Sequence, residues 1–155
     1  RIVNNYTHYL AHLTSYRLEV PMMANIQQRM DELQEATAAT VEVDWLRQVF
    51  RILLRSRLLL CNIYVWKYYN PQLQAQQLQA VEEAAGYLHR DVEALSHLLA
   101  RRRLTVVRGR VIAAAKRCQT SGLKLNMCVD QVTDLISLAA SAAESTRRQS
   151  RQNQA

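Results

Sequence analysis

Residues that make turns are scarce in this 155-residue sequence, which has 3 glycines and 2 prolines. An all-β fold needs such residues between its short strands, so their scarcity excludes one. No apolar run approaches the roughly 18 residues of a membrane-spanning helix; one dense run, residues 58–61, is followed by Asn62. With 49% hydrophobic residues, the chain can still bury a full core. These features predict one all-α domain.

The sequence also lacks paired cysteines: Cys61, Cys118 and Cys128 are far apart and form no CxxC motif. This excludes a zinc ribbon or RING within the segment and disfavours a secreted disulfide fold. Apolar neighbours favour buried structural thiols over a catalytic cysteine. Common phosphate, dinucleotide and hydrolase motifs are absent, so we expect no catalytic residue in this segment. Because the chain begins at Arg1 and has no signal-peptide pattern, we expect an excised piece of a longer protein in a reducing compartment.

Apolar residues at steps of three and four predict an antiparallel bundle of about four long helices. The first stripe runs over residues 2–33. Pro21 lies inside it and predicts a kink or break near residues 17–20, because proline lacks an amide N–H. The second helix, over residues 41–69, is apolar on most sides and is predicted to be central.

Asn70 and Pro71 are predicted to end the second helix and to begin the third. The third and fourth helices each show an alternating three–four repeat close to a coiled-coil seam. Residues 144–155 have no apolar anchor and are predicted to be a disordered basic tail. The helical domain would then cover residues 1–143.

A basic block follows the third helix in a chain of net charge +7. No acidic residue occurs between Glu93 and Asp130, whereas eight basic residues do: Arg101, Arg102, Arg103, Arg108, Arg110, Lys116, Arg117 and Lys124. Such a block can contact nucleic-acid phosphates, and a solvated helix face is the alternative. No aromatic residue lies among these charges, which weakens the case for single-strand recognition.

Histidines form two helical pairs. His8 and His12 are one turn apart, and His89 and His97 are two turns apart. Neither pair has a third ligand at helical spacing, so we expect polar or capping histidines and no metal site.

Leu18 and Met22 lie one turn apart and away from the apolar stripe of the first helix, with Glu19 next to Leu18. An exposed apolar pair beside a carboxylate suits a protein contact, although single exposed apolar residues are common.

Several of these residues recur in a known order. They are Tyr9, His12, Ser15 and Glu19 on the first helix, Glu42 and Val43 before the second, Arg57, Leu60, Tyr64, Tyr68 and Tyr69 within it, and Val81, Glu82, Leu88, Glu93, Leu95 and Ser96 on the third. Over residues 2–99 this pattern resembles the Ariadne domain. That domain is the helical C-terminal module of Ariadne-type RING-between-RING (RBR) E3 ubiquitin ligases.

The resemblance implies a non-catalytic regulatory domain. In such ligases ubiquitin passes from an E2 to a cysteine of the second RING, and the Ariadne domain packs on that RING and inhibits transfer. A partner such as a neddylated cullin–RING ligase releases it. Here Leu18, Glu19, Glu82 and Glu93, with Met22 beside them, would hold the second RING.

The resemblance also implies the wider setting. The parent chain would be the E3 ubiquitin-protein transferase and would engage the E2–ubiquitin conjugate, with zinc in its upstream RINGs and no cofactor in this segment. We expect a cytoplasmic location, with a nuclear one also open, and no membrane partner. Two alternatives remain: a basic adaptor that binds nucleic acid through residues 101–124, and a structural assembly bundle.

Overall fold

A computed structural model describes residues 2–37, 44–101 and 104–152, and these ranges form an all-α bundle without a strand. The predicted fold class is therefore confirmed. The described ranges contain five helices: α1 (Ile2–Ala24), α2 (Ile26–Thr37), α3 (Asp44–Tyr69), α4 (Ala75–Leu99) and α5 (Leu104–Gln152).

The first predicted helix divides at Asn25, which separates α1 from α2. No break lies at residues 17–20, because α1 continues through Pro21 and ends at Ala24. The kink near Pro21 stays a prediction. Pro21 is exposed, so its ring lies against solvent rather than inside the packed face. The helix ends where asparagine, a residue favoured at turns and helix caps, follows it.

The central position predicted for the second helix is confirmed for α3. It packs against all four other helices, and its buried side includes the fully buried Phe50 and Leu60. One strip stays open to solvent, so α3 is not enclosed on every side; the strip comprises Arg51, Arg55, Leu58, Asn62, Val65 and Tyr69.

The end of α3 agrees with the sequence, but the start of α4 does not. The Asn70 side chain donates a hydrogen bond to the Trp66 carbonyl at 2.8 Å and so caps the C-terminus of α3. Helix α4 begins at Ala75 rather than Pro71. The backbone N–H of Gln74 donates to the side chain of Gln77, which satisfies a donor at this N-terminus.

Helices α4 and α5 form an apolar hairpin. The predicted seam is largely buried on both helices: Val81, Ala85, Leu88, Val92, Leu95 and Leu99 on α4, and Leu104, Val107, Val111, Ala115, Cys118, Leu125 and Val132 on α5. The Ser121 hydroxyl donates to the Asp91 carboxylate at 2.5 Å beside this seam. The short connection and this contact make the two helices antiparallel.

The predicted disorder of residues 144–155 is wrong for residues 144–152, which continue α5. No glycine or proline follows Gly122, so nothing in the sequence stops the helix. The described side chains beyond Ile136 are exposed, so this extension leaves the packed bundle. Residues 153–155 lie outside the described residues, and the domain boundary after residue 143 stays a prediction. The residues Thr-Ala-Ala-Thr at 37–40 predict a connection between the first two predicted helices; Thr37 ends α2, and residues 38–40 lie outside the described residues.

Helices α1 and α4 both run antiparallel to α3 and therefore parallel to each other. On α4 the direction follows from two ion pairs: Glu82 pairs with Lys67, and the later Glu93 pairs with the earlier Arg57 of α3. None of the described helices combines the length and the hydropathy needed to cross a membrane.

Candidate functional site

The buried face of α1 is polar. Its most buried described side chains are Asn5, His12 and Glu19. They are seven residues apart, and seven residues are close to two helical turns, so all three lie on one face. This row meets α3 and α4 and forms the base of the site.

The tyrosine-rich stripe predicted as the core face of α1 is therefore misplaced. Tyr6 and Val20 are exposed, and Tyr9, Leu13 and Tyr16 are only half-buried. The stripe borders the interface and does not fill it. Polar side chains occupy its centre, and the charge of one of them, Glu19, is compensated by residues of α3 and α4.

Glu19 forms a buried ion pair with Arg57 of α3. Nη2 of Arg57 donates to Oε1 of Glu19 at 2.9 Å, and its Nε donates to Oε2 at 3.1 Å. The Ser96 hydroxyl of α4 donates to Oε1 of Glu19 at 2.7 Å. A buried carboxylate is stable only when such partners replace its water, and here they come from both neighbouring helices.

Arg57 also donates to Glu93 of α4, so one guanidinium joins three helices. Burial by itself would lower the pKa of Arg57, but the hydrogen bonds with Glu19 and Glu93 raise it overall. Burial would raise the pKa of Glu93, but its hydrogen bond with Arg57 and the positive charge there lower it overall. Arg57 and Glu93 are therefore both ionised at neutral pH.

A second ion pair lies further along the same groove. Nζ of the buried Lys67 donates to Glu82 at 2.7 Å and lies 5.3 Å from the centre of the Tyr64 ring. The Glu82 and Glu93 side chains are 53% and 50% exposed, so each carboxylate reaches solvent from a buried cation. These acids are eleven residues apart, about three turns, and lie on one face of α4.

Histidines and Tyr64 lie between the two ion pairs. The Tyr64 ring stacks on His8 and His12, with ring centres 5.1 and 5.9 Å apart, and His89 meets the edge of His12 at 5.1 Å. Burial lowers the pKa of His12 to about 4, with further contributions from His89 and Arg57, so its imidazole is neutral at pH 7. Among the described residues, Nδ1 of His12 is the buried side-chain atom without a hydrogen-bond partner.

A cleft of about 290 Å³ opens between α1, α3 and α4 at this point. Asn4 and His8 line it from α1, and Glu82 and His89 line it from α4. His8 and His89 are therefore reached from solvent through the same cleft that the half-exposed Glu82 lines.

The residues predicted to bind a partner divide into two groups. Leu18 is 71% exposed, as predicted, and Glu82 and Glu93 reach the surface. The prediction that Glu19 points outward is wrong, because it is 5% exposed and its charge is compensated inside the bundle by Arg57. Met22 is half-buried and packs against the core, so it does not form an exposed pair with Leu18.

The described residues of the predicted basic block do not form one continuous face. Arg101 is exposed, and Arg102 and Arg103 lie outside the described residues. On α5, Arg110 and Arg117 are seven residues apart and share a side, but Arg117 lies 3.4 Å from the Asp91 carboxylate.

The remaining basic residues of α5 are distributed around the helix. Lys124 continues the Arg110 side, whereas Arg108 and Lys116 lie on other sides because each residue turns the helix by about 100°. Arg108 lies over the Trp45 ring at 5.5 Å from its centre. Nucleic-acid binding stays a prediction.

The cysteines are free thiols in apolar surroundings. Cys61 and Cys118 are buried, as predicted, and Cys128 is half-buried. Burial raises the pKa of all three thiols, that of Cys118 to about 12 with help from Asp91. The thiolate form needed for nucleophilic chemistry is therefore disfavoured at each position.

Sequence patterns missed the joining role of Arg57 and the cluster of His12 with His89 and Glu93. Helical spacing relates residues of one helix only, whereas Arg57, His12 and the pair on α4 come from three helices. One signal was present: Arg57 is a cation on the same side of α3 as Leu53 and Leu60, where an unpaired charge would be costly.

Comparison with known proteins links part of the chain to ubiquitin ligases. E3 ubiquitin-protein ligase ARIH1 of Homo sapiens is 31% identical over 93 residues, which cover 54% of this chain and 17% of that protein. E3 ubiquitin-protein ligase ariadne-1 of Drosophila melanogaster is 30% identical over 101 residues, covering 59% of this chain and 20% of the ligase. E3 ubiquitin-protein ligase ari-1.1 of Caenorhabditis elegans is 27% identical over 97 residues, which cover 57% of this chain and 20% of that ligase.

The similarity thus covers a fifth or less of each of these relatives. No protein-family model matches the chain, and no solved structure is significantly similar to it. The chain is related to a region of Ariadne-type E3 ubiquitin-protein ligases.

Proposed function

We propose that this chain is the Ariadne-type regulatory domain of an RBR E3 ubiquitin ligase. It packs on the catalytic second RING of its own parent chain and holds back ubiquitin transfer. A partner such as a neddylated cullin–RING ligase releases it, and the E2–ubiquitin conjugate binds the parent chain elsewhere. The observation that carries this proposal is the similarity to ubiquitin ligases over 93 residues.

The geometry supports one docking surface, which we define as Leu18, Glu82 and Glu93. Leu18 follows Asn4 by 14 residues, close to four turns, and so lies near the flank of α1 that lines the cleft. Glu82 lines the same cleft from α4, and Glu93 lies one turn beyond His89, which also lines it. An exposed leucine beside two anchored carboxylates offers an apolar contact with a charged rim.

Glu19 acts on this surface from inside the bundle. It holds Arg57 through two hydrogen bonds, and Arg57 holds Glu93. Glu93 therefore reaches solvent in an orientation that the buried pair determines. We assign Glu19 as a positioning residue for Glu93. Met22 packs against the core one turn after Leu18 and so supports this part of α1.

An inhibitory domain that a partner can release must dock with only modest affinity. Few residues of an interface contribute more than about 1 kcal/mol each, and rim charges mainly set orientation and association rate. A surface of one leucine and two half-exposed carboxylates fits this requirement, because a competing partner can displace it.

The test uses the parent ligase with its RING domains and this domain together. Discharge of the E2–ubiquitin thioester is measured with the unchanged chain and with the combined Leu18→Ala and Glu93→Gln variant. We expect faster discharge from the variant, because the docked state loses its apolar contact and one of its rim charges. Adding a neddylated cullin–RING complex is expected to accelerate the unchanged ligase more than the variant.

Leu138→Ala is the matched control, since Leu138 is also an exposed leucine but lies on the extension of α5. It is expected to leave the discharge rate unchanged. Equal rates for the unchanged ligase and for the Leu18 and Glu93 variant would contradict the docking surface.

A further inference from the structure

We propose that His12, His89 and Glu93 form a binding site for a divalent transition metal of the zinc type. Each residue offers one ligand atom, and these atoms all lie within 4.8 Å of one another. Two of the residues come from α4 and the third from α1, so the bound ion would tie these parallel helices together. This inference does not depend on the proposed function.

The spacing of the ligands follows from the helices. His89 and Glu93 are four residues apart, one turn of α4, so both side chains lie on the face towards α1. His12 approaches from the opposite side of the groove, with its ring 5.1 Å from that of His89. Three ligands with two on one helix and one on its neighbour fix three corners of a tetrahedron and leave the fourth open.

The ligand atoms must approach a little further to hold an ion. Around tetrahedral zinc, with metal–ligand distances near 2.1 Å, they would be about 3.4 Å apart. His89 is exposed on α4 and can change its rotamer, whereas Glu93 is held by Arg57 through one oxygen and can present its other oxygen to the ion. His12 is held by burial and by stacking on Tyr64, so it is the fixed ligand of the three.

The charge of the groove suits a cation. Its ion pairs join two cations, Arg57 and Lys67, to three carboxylates, Glu19, Glu82 and Glu93, which leaves one negative charge. Glu93 has two oxygens, so it can keep its hydrogen bond with Arg57 and still offer a lone pair to an ion. Arg57 would then orient the ligating carboxylate, as outer-sphere partners do in known metal sites.

His12 supports the same conclusion. Its Nδ1 is buried without a hydrogen-bond partner, an arrangement that costs free energy in an ordinary core histidine. Two imidazoles and one carboxylate favour zinc over magnesium or calcium, which prefer oxygen ligands throughout.

The test titrates Zn²⁺ into the metal-free 155-residue chain and follows the heat of binding, with Co²⁺ absorption as a second readout of tetrahedral coordination. The chain carries Cys128→Ser in a parallel series, to separate binding by the half-buried thiol. We expect one Zn²⁺ per chain in both series, and a melting temperature that rises when the metal is bound.

His89→Ala is the decisive variant, because His89 is exposed and its loss should leave the fold intact. We expect the zinc affinity to fall by at least about 100-fold, more than the loss of an outer-sphere partner causes. His97→Ala is the matched control, since His97 is also an exposed histidine of α4 and lies outside the cluster. It should bind zinc as the unchanged chain does.

Three results would overturn the site. They are no binding at zinc concentrations equal to that of the chain, equal affinity in the His89→Ala variant, or loss of binding in the Cys128→Ser series. Far-ultraviolet circular dichroism of each variant verifies that its helices are intact.

Discussion

The interface of α1 with α3 and the seam between α4 and α5 are built in different ways. The first is centred on Asn5, His12 and Glu19, and the Glu19 carboxylate is hydrogen-bonded to Arg57 and Ser96 on the facing helices. The second is apolar along its length, with residues such as Leu88 and Val111 fully buried. Both bury one face of a helix, but only the first contains a buried charge that must meet one particular partner.

The two regions therefore do different work: the apolar seam contributes stability, and the polar row fixes the position of α1 along its neighbours. Apolar burial is non-directional, so the α4–α5 seam contributes free energy in proportion to the area it removes from water. A buried ion pair contributes little net free energy, but a one-turn shift of α1 would leave Glu19 and Arg57 buried and unpaired. The polar row therefore determines where α1 lies, and hence where Leu18 and Glu93 reach the surface.

The largest expected effect comes from breaking the buried pair. Arg57→Ala leaves Glu19 buried with only the Ser96 hydroxyl as a partner. We expect the free energy of unfolding to fall by about 3–5 kcal/mol, the usual consequence of isolating one buried charge. Urea unfolding followed by circular dichroism measures it.

The matched control replaces both charges, as Glu19→Met with Arg57→Met. It should recover most of the loss, because apolar side chains of similar volume often substitute for a buried pair. A loss below about 1 kcal/mol in Arg57→Ala would show that the pair does not determine the position of α1.

The apolar seam gives the second prediction. Leu95→Ala removes a fully buried side chain of α4 and is expected to lower the free energy of unfolding by about 2–5 kcal/mol. Unlike the ion pair, this loss should be independent of salt concentration. Leu138→Ala, an exposed leucine of α5, is the control and should change stability by less than about 0.5 kcal/mol. A similar loss in both variants would contradict the assignment of the seam as the core.

Two buried cysteines report on the two regions separately. The Cys61 thiol lies 3.9 Å from the Tyr9 carbonyl oxygen beneath α1, whereas Cys118 lies in the α4–α5 seam. We expect a thiol reagent at pH 7.5 to label Cys61 at least about tenfold faster than Cys118, because local detachment of α1 exposes only the first. Burial also raises the pKa of Cys118 to about 12, so little of the reactive thiolate forms and the labelling of Cys118 is slowed further.

Peptide mass spectrometry after short exposures measures these labelling rates. Half-buried Cys128 should react first and serves as the internal reference. If Cys118 reacts as fast as Cys61, the two regions open together and the comparison fails.

The smallest expected effect is at the surface. Leu18→Ala should change the free energy of unfolding by less than about 0.5 kcal/mol, since the side chain is 71% exposed. Thermal unfolding measures this change. A neutral result for stability allows any effect of this substitution on ubiquitin discharge to be assigned to docking. A loss above about 1 kcal/mol would place Leu18 in the packing of α1 instead.

Most of the fold could be predicted from periodicity. The seams of α4 and α5 were identified correctly because every seam position is apolar and the helices have few breaks. Periodicity failed for α1, where apolar tyrosines were assigned to the core and the buried carboxylate to the surface. Such patterns rank residues by hydrophobicity and contain no information about a compensating charge 38 residues away in the sequence.

The candidate site was less predictable for the same reason. Leu18 was predicted to reach solvent because it lies off the apolar stripe of its helix, and it is exposed. Glu82 and Glu93 were named only through the family resemblance, and both side chains are half-exposed. The sequence pattern did not predict that Arg57 joins three helices. It paired His12 only with His8, its neighbour on the same helix.

The sequence alone determined the all-α class, the apolar hairpin of α4 and α5 and the end of α3 at Tyr69, because local spacing and propensity control these features. Only the tertiary structure decided that Glu19 is buried and that His12, His89 and Glu93 meet. Burial of a polar group depends on its partner, and these partners come together only when three separate helices pack.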